Sequence, residues 1–122
     1  MKTLNVVGRR VPMHDAALKV TGQAQFTDDL MLPGMLYGRL VRSTVAHGRI
    51  VSIDTSAAEA LPGVKGVLTG ADIPDQVYGI VPMAKDEYAL AKEKVRYIGD
   101  EVAAVVAIDP ETAEQAARLV RV

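Results

Sequence analysis

The sequence predicts a mixed α/β (α+β) fold in which two halves, each strand, strand, helix, strand, follow an extended N-terminal arm. Three observations predict it. Val102-Ala103-Ala104-Val105-Val106-Ala107-Ile108 is apolar at every position, the signature of a strand buried on both faces. Directly after it, Asp109-Pro110 opens a helix whose Ala113, Ala116, Ala117 and Val120 fall at i, i+3, i+4 and i+7. A similar order of signals stands earlier, where a strand ending at Asp54 precedes a short helix and a further strand.

Residues 1–35 are punctuated by Gly8, Pro12, Gly22, Asp28-Asp29 and Pro33-Gly34, with short apolar stretches between them, and read as an arm. Such a segment buries too little apolar surface to offset roughly 1–2 kcal/mol of backbone entropy per residue, so it is expected to lie along another surface. The globular part is expected over residues 36–122. Leu36 to Arg42 and Arg49 to Asp54 are strand-like. Ser56-Ala57-Ala58-Glu59 has the form of a capping box, Ser56 accepting from the amide of Glu59 while Glu59 reaches back. Pro62-Gly63 ends that helix, and Val64 to Thr69 is the next strand.

Residues 70–92 form a long connection with apolar residues set among prolines and charges, and are read as an ordered loop. Glu93 to Ile98 is a strand, Gly99-Asp100 a turn, and residues 102–108 the buried strand. In the last helix Pro110 takes the first position, where its missing N–H costs nothing. Glu111 and Arg118 complement the helix dipole, and Glu114 with Arg118 forms an i,i+4 pair. Arg121-Val122 begins a further strand, and the chain is expected to be part of a longer protein.

With 49% hydrophobic and 24% charged residues, 122 residues suffice for one domain with its own core. The net charge of -1 supplies no field for nucleic acid or an anionic membrane, so neither is expected as a partner. No cysteine is present, which excludes thiolate and iron–sulfur ligation within these residues. The longest apolar run is far short of the roughly 20 residues that span a bilayer. No signal peptide is evident, and a cytoplasmic location is the expectation.

His14 and His47 lack a second histidine or carboxylate at metal-ligand spacing, so no metal site is expected. His47 is expected to bond the backbone of its turn, and His14 and Asp15, adjacent in an arm, to point apart. Gly63, Gly66 and Gly70 follow the helix instead of preceding it, unlike a phosphate-binding loop. Ser43, Ser52 and Ser56 lack the setting of a nucleophile. Lys85-Asp86-Glu87 and Lys92-Glu93-Lys94 read as solvated faces. Arg9-Arg10, Arg39, Arg42 and Arg49 either bind a phosphate-bearing ligand or pair with Asp28 and Asp29. No catalytic residue is assigned.

The segment Lys19-Val20-Thr21-Gly22-Gln23-Ala24-Gln25-Phe26-Thr27-Asp28-Asp29, followed by Gly38-Arg39-Leu40-Val41-Arg42-Ser43 and Ala46-His47-Gly48-Arg49-Ile50, resembles the opening of the molybdenum-binding large subunit of the xanthine dehydrogenase and aldehyde oxidase family. The match continues through Pro62-Gly63-Val64, Asp72-Ile73-Pro74, Val95 to Asp100, Val102 to Val105 and Ala116-Ala117. The resemblance implies an α/β hammerhead domain. Within the family, Tyr78 to Ala91 is most similar to the 4-hydroxybenzoyl-CoA reductase large subunit. Thr44 and Glu101 stand where the family often has proline, and both are read as turn positions.

The resemblance further implies a molybdenum–pterin cofactor held downstream in the same subunit, with iron–sulfur clusters and FAD in partner subunits or domains. No cofactor is then expected within residues 1–122. Gly79, Ile80, Val81, Pro82 and Met83 match the family loop that approaches the substrate funnel, and are the substrate-channel candidates. The function implied is a scaffold and channel domain of a molybdenum hydroxylase or dehydrogenase, inactive alone. A freestanding binding or assembly module on the same fold remains the alternative.

Overall fold

A computed structural model of the chain describes residues 4–81 and 83–122. It divides into two units, residues 1–33 and 34–122. In the first, a short helix α1 (Ala16–Val20) and a 3₁₀ turn (Thr27–Asp29) are the only regular elements among the described residues. Asp15 pairs with Lys19 one turn on, at 2.7 Å, and His14 takes no part in that pair. Asp29 Oδ2 accepts from the Phe26 amide at 2.9 Å.

The second unit contains β1 (Tyr37–Arg42), β2 (Gly48–Arg49), α2 (Ser56–Glu59), β3 (Val64–Thr69), β4 (Lys94–Val95), β5 (Glu101–Ala107) and α3 (Pro110–Leu119). β5 is the centre of a three-stranded antiparallel sheet in the order β1-β5-β3, and β2 pairs with β4 in a two-stranded ribbon. The strand that is apolar throughout thus takes the position with neighbours on both edges. The helices α2 and α3 cover one face of this sheet.

The core forms on that face. Ala58 of α2, Ala103 and Val105 of β5, and Ala116 of α3 are wholly buried, with Val41, Val64 and Val67 packed against them. Alanine at the contact positions of both helices lets them lie close to the strand, so little volume is left unfilled. A second cluster joins Ala91, Val95 and Val102, with Ile50 and Ile53 against it. The register explains how Val102 and Ala103, adjacent in sequence, are both buried. Arg42 pairs with Glu101 and Val41 with Ala103, so Val102 is an extra residue in a β-bulge, which breaks the alternation of sides there.

The helix α3 follows its sequence signals closely. Asp109 caps it, Oδ1 accepting from the Thr112 amide at 2.7 Å and Oδ2 from the Thr112 hydroxyl at 2.7 Å. Glu114 meets Arg118 at 3.2 Å and also Arg39 of β1 at 2.8 Å. Arg42 pairs with Glu101 at 2.5 Å, so Glu114 and Glu101, not Asp28 or Asp29, are the partners of these two β1 arginines. Ion pairs this exposed contribute about 0–1 kcal/mol each and orient more than they stabilise.

Several local expectations are revised. The capping box at Ser56 does not form, because Asp54 Oδ1 takes both the Ser56 amide (3.0 Å) and the Ser56 hydroxyl (2.6 Å). Thr55 becomes the boundary residue and its hydroxyl donates to Glu59 Oε1 at 2.7 Å. The expected strand 93–98 is regular only at Lys94–Val95, since the Arg96 amide is drawn to Asp100 Oδ2 at 2.8 Å and the chain turns through Gly99 at φ +95°. The expected strand 49–54 is likewise short, although Ile50 N still donates to Glu93 O at 2.8 Å. Glu101 is the first residue of β5 and not a turn position. Arg121 forms an isolated antiparallel bridge with Asp54, which ties the segment after α3 to the segment before α2.

Among the described residues no helix is long and apolar enough to cross a membrane. Replacement of wholly buried Val105 by Ala is expected to destabilise the domain by about 1.5–3 kcal/mol, measured by chemical denaturation. The Asp109 carboxyl lies below its ordinary range, chiefly through the hydrogen bond from the Thr112 amide and then that from its hydroxyl. A lowered folded-state pKa contributes stability that is present above the unfolded value and is lost as pH falls through the folded one. Below about pH 4 the domain is therefore expected to lose stability on acidification, and Asp109→Asn to flatten that acid limb in a pH series of thermal unfolding.

Candidate functional site

The connection between β3 and β4 is ordered by identifiable bonds at both ends. At its start Asp72 Oδ2 accepts the amide and the hydroxyl of Thr69, each at 2.8 Å, which holds its carboxyl below the usual range. The Thr69 amide is the larger cause and its hydroxyl the next. At its end Leu90 and Ala91 are buried, and Ala91 N donates to Glu101 O at 2.6 Å. Lys92 was expected on a solvated face. Instead it turns inward, its ammonium 3.0 Å from Asp75, 3.5 Å from the Ile73 carbonyl and 5.3 Å from the centre of the Tyr88 ring.

Between these anchors the chain makes a small hairpin. Tyr78 N donates to Glu87 O at 2.7 Å and Glu87 N returns to Tyr78 O at 3.2 Å, while Ala84 N reaches Val81 O at 3.0 Å. The predicted channel residues Gly79, Ile80, Val81 and Met83 lie together on this hairpin, and Pro82 lies outside the described residues. Ile80 and Met83 present their side chains fully to solvent, and Val81 is half exposed. Gly79 has a specific reason to be glycine. A Cβ there would stand 1.9 Å from the Ala84 carbonyl oxygen and 2.9 Å from Lys85 Cα, so the two arms could not approach. Beside the hairpin is a shallow concavity of about 410 Å³ whose lining includes Val77, Tyr78, Ile80, Lys85 and Glu87.

Among the described residues no three His, Cys, Asp or Glu side chains converge as metal ligands. No chemical step is assigned to these residues. His47 is exposed, and among the described residues its side chain has no hydrogen-bond partner. Its turn is held by Ser43 instead, whose Oγ donates to Val45 O at 2.8 Å and accepts Val45 N at 3.1 Å. What the hairpin can supply is a contact wall of apolar side chains on a defined backbone.

A larger groove, about 730 Å³, runs between β1, β2 and the end of α3, with Val41, Val45 and Ile50 in its lining and Arg42, Arg49 and Arg118 among its polar residues. Sequence reasoning noted each of these cations but not the groove, because Arg118 joins Arg42 and Arg49 only through the packing of α3 on the sheet. Arg49 and Lys94 stand directly opposite one another across the β2–β4 ribbon, a like-charge pairing that the sequence order conceals.

Gly79→Ala is expected to open the hairpin while sparing the core. Amide exchange at Tyr78 and Glu87 should accelerate and proteolysis between residues 78 and 88 should appear, with the thermal midpoint little changed.

The family model described as "Aldehyde oxidase and xanthine dehydrogenase, a/b hammerhead domain" matches residues 21–122. The chain is 52% identical over 103 residues to the carbon monoxide dehydrogenase large chain of Afipia carboxidovorans, covering 83% of this chain and 13% of that protein. It is 44% identical over 117 residues to the xanthine dehydrogenase molybdenum-binding subunit of Escherichia coli O157:H7, covering 88% of this chain and 16% of that one. The solved structure of reconstituted CO dehydrogenase from Oligotropha carboxidovorans superposes with a TM-score of 0.84 at 43% identity, covering 93% of this chain and 14% of that chain. The chain thus spans about one seventh of each of these three proteins. With the family model matching residues 21–122 and a solved relative superposing over 93% of its length, the chain belongs to the aldehyde oxidase and xanthine dehydrogenase family, as the a/b hammerhead domain.

Proposed function

We propose that residues 1–122 are the scaffold and part of the substrate channel in the large subunit of a molybdenum-dependent hydroxylase or dehydrogenase. The observation that carries the channel role is the hairpin apex. Ile80 and Met83 are wholly exposed on a backbone that Gly79 allows to close tightly and that Lys92 and Ala91 anchor at its base. Apolar side chains so held suit a wall facing an aromatic or acyl substrate. The resemblance of Tyr78 to Ala91 to the 4-hydroxybenzoyl-CoA reductase large subunit favours an aromatic acyl-CoA.

Relatives named as a molybdenum-binding subunit and as the large chain of a dehydrogenase support the placement in such an enzyme. In this proposal the downstream domains of the same subunit hold molybdenum–pterin, and iron–sulfur and flavin subunits or domains are the electron partners. The cofactor supplies the redox chemistry at the substrate carbon. These residues contribute position and exclusion of water.

Molybdenum content of the native polypeptide, captured with an antibody against this domain, tests the assignment. Stoichiometric metal on a much longer chain is expected; a metal-free chain ending near Val122 would replace the proposal with a freestanding binding module. In the intact enzyme, Ile80→Trp is expected to raise KM or lower kcat, and unchanged steady-state kinetics would remove the hairpin from the channel. The isolated domain is expected to bind no molybdenum and to show no turnover.

A further inference from the structure

The sheet has one dry face and one wet face, and the wet face has the wrong chemistry for water. Val41, Val67, Ala103 and Val105 point into the helix-covered core. Their neighbours in the strands point the other way. The register sets Leu40, Ala104 and Leu68 in one row across the three strands, and Gly38, Val106 and Gly66 in the next. Leu40 is 44% exposed and Leu68 45% exposed, so no described residue of 34–122 covers these two side chains. A Cβ added at Gly66 would meet nothing within 4 Å.

An antiparallel sheet with one solvated face normally alternates apolar and polar residues along each strand. β5 does not: Ala104 and Val106, its outward residues, are as apolar as its inward ones. Charges bound the face at its two ends: Arg42 and Glu101 pair at one, and exposed Lys65 stands in the irregularity of β3 beside Gly66 at the other. Six adjacent positions without a polar side chain, level across three strands, form a surface suited to burial against a second layer.

We infer that this face of the β1-β5-β3 sheet is the surface on which the remainder of the same large subunit packs. The choice of occupant follows from length. The chain spans 13% to 16% of the relatives above, so in a subunit of that size most of the polypeptide is available to supply the missing layer. It rests on the large-subunit assignment proposed above. An apolar layer contributed by those domains would bury Leu40 and Leu68, with Val106 set between two positions that carry no side chain.

Because residues 1–122 contain no cysteine, a single thiol can report on the face. Leu68→Cys is introduced into the full-length subunit, and maleimide labelling of the peptide containing residue 68 is followed by mass spectrometry, native and in denaturant. Native labelling at least about tenfold slower than in denaturant is expected. A smaller difference would overturn the docking. Gly66→Cys, whose added side chain meets nothing within the domain, repeats the measurement should Leu68→Cys disturb the fold. Protection that disappears on dilution to the monomer would assign the face to a second copy and equally overturn the inference. Metal content of the same preparation separates the two questions: protection without molybdenum leaves the docking in place and removes the molybdenum assignment, and labelling of a molybdenum-loaded subunit does the reverse.

Discussion

Close contact between β5 and the alanines of α2 and α3 is the constraint from which the rest of residues 34–122 follows. Ala58, Ala103 and Ala116 are wholly buried together, and their small side chains set the separation between helix layer and sheet. At that separation Arg39 of β1 reaches Glu114 of α3, and Val120, just past the helix, still packs into the core. A larger residue at any of the three alanines would force the layers apart, since close-packed interiors accept added volume only by straining neighbours. Gly63 reflects the same closeness at the edge. Its φ of +95° needs glycine, and a Cβ there would stand 3.2 Å from Ile108 and Thr112 side-chain atoms.

How much of this was legible in the sequence depended on whether the signal was local. Asp109, Pro110 and the spacing of Ala113, Ala116 and Val120 specify α3 completely, because a cap and a 3.6-residue period are properties of one segment. The apolar run of residues 102–108 likewise announced the central strand. Competition between neighbours was not legible. Ser56 and Glu59 have capping-box spacing, yet Asp54, two residues earlier, offers Ser56 a charged acceptor and wins. In the same way Asp100 draws the Arg96 amide out of a ladder that the sequence of residues 93–98 would support. Lys92 looked like one charge in a mixed run, and only the fold brings Asp75 and Tyr88 to it.

The candidate site was legible in part. Resemblance placed attention on residues 79–83, and four of those five lie on one described hairpin. Why Gly79 must be glycine could not be read from the sequence, because the obstacle is the carbonyl of Ala84 across the turn and not the conformation of Gly79 itself. The groove beside β1 was hidden for the opposite reason: its arginines come from strands and a helix far apart in the chain.

Glu101 connects the hairpin to the sheet. Its backbone carbonyl receives Ala91 at the base of the loop, and its carboxylate holds Arg42 across the first row of the open face. The same carboxylate lies 3.4 Å from the Tyr97 hydroxyl, and its charge is the main reason that phenol is held above its ordinary pKa. The bulge at Val102 follows immediately, sending that side chain into the cluster with Ala91 and Val95. Loop base, sheet end and second core cluster are thus fixed by two successive residues. The side-chain ion pair is exposed and contributes little by itself. The backbone bond and the buried valine therefore carry the positioning, and a displacement of the start of β5 would move the loop base with it. A hairpin whose apex is meant to meet another molecule gains from such an attachment, because the place of its apolar side chains is then set by the most deeply packed strand in the domain.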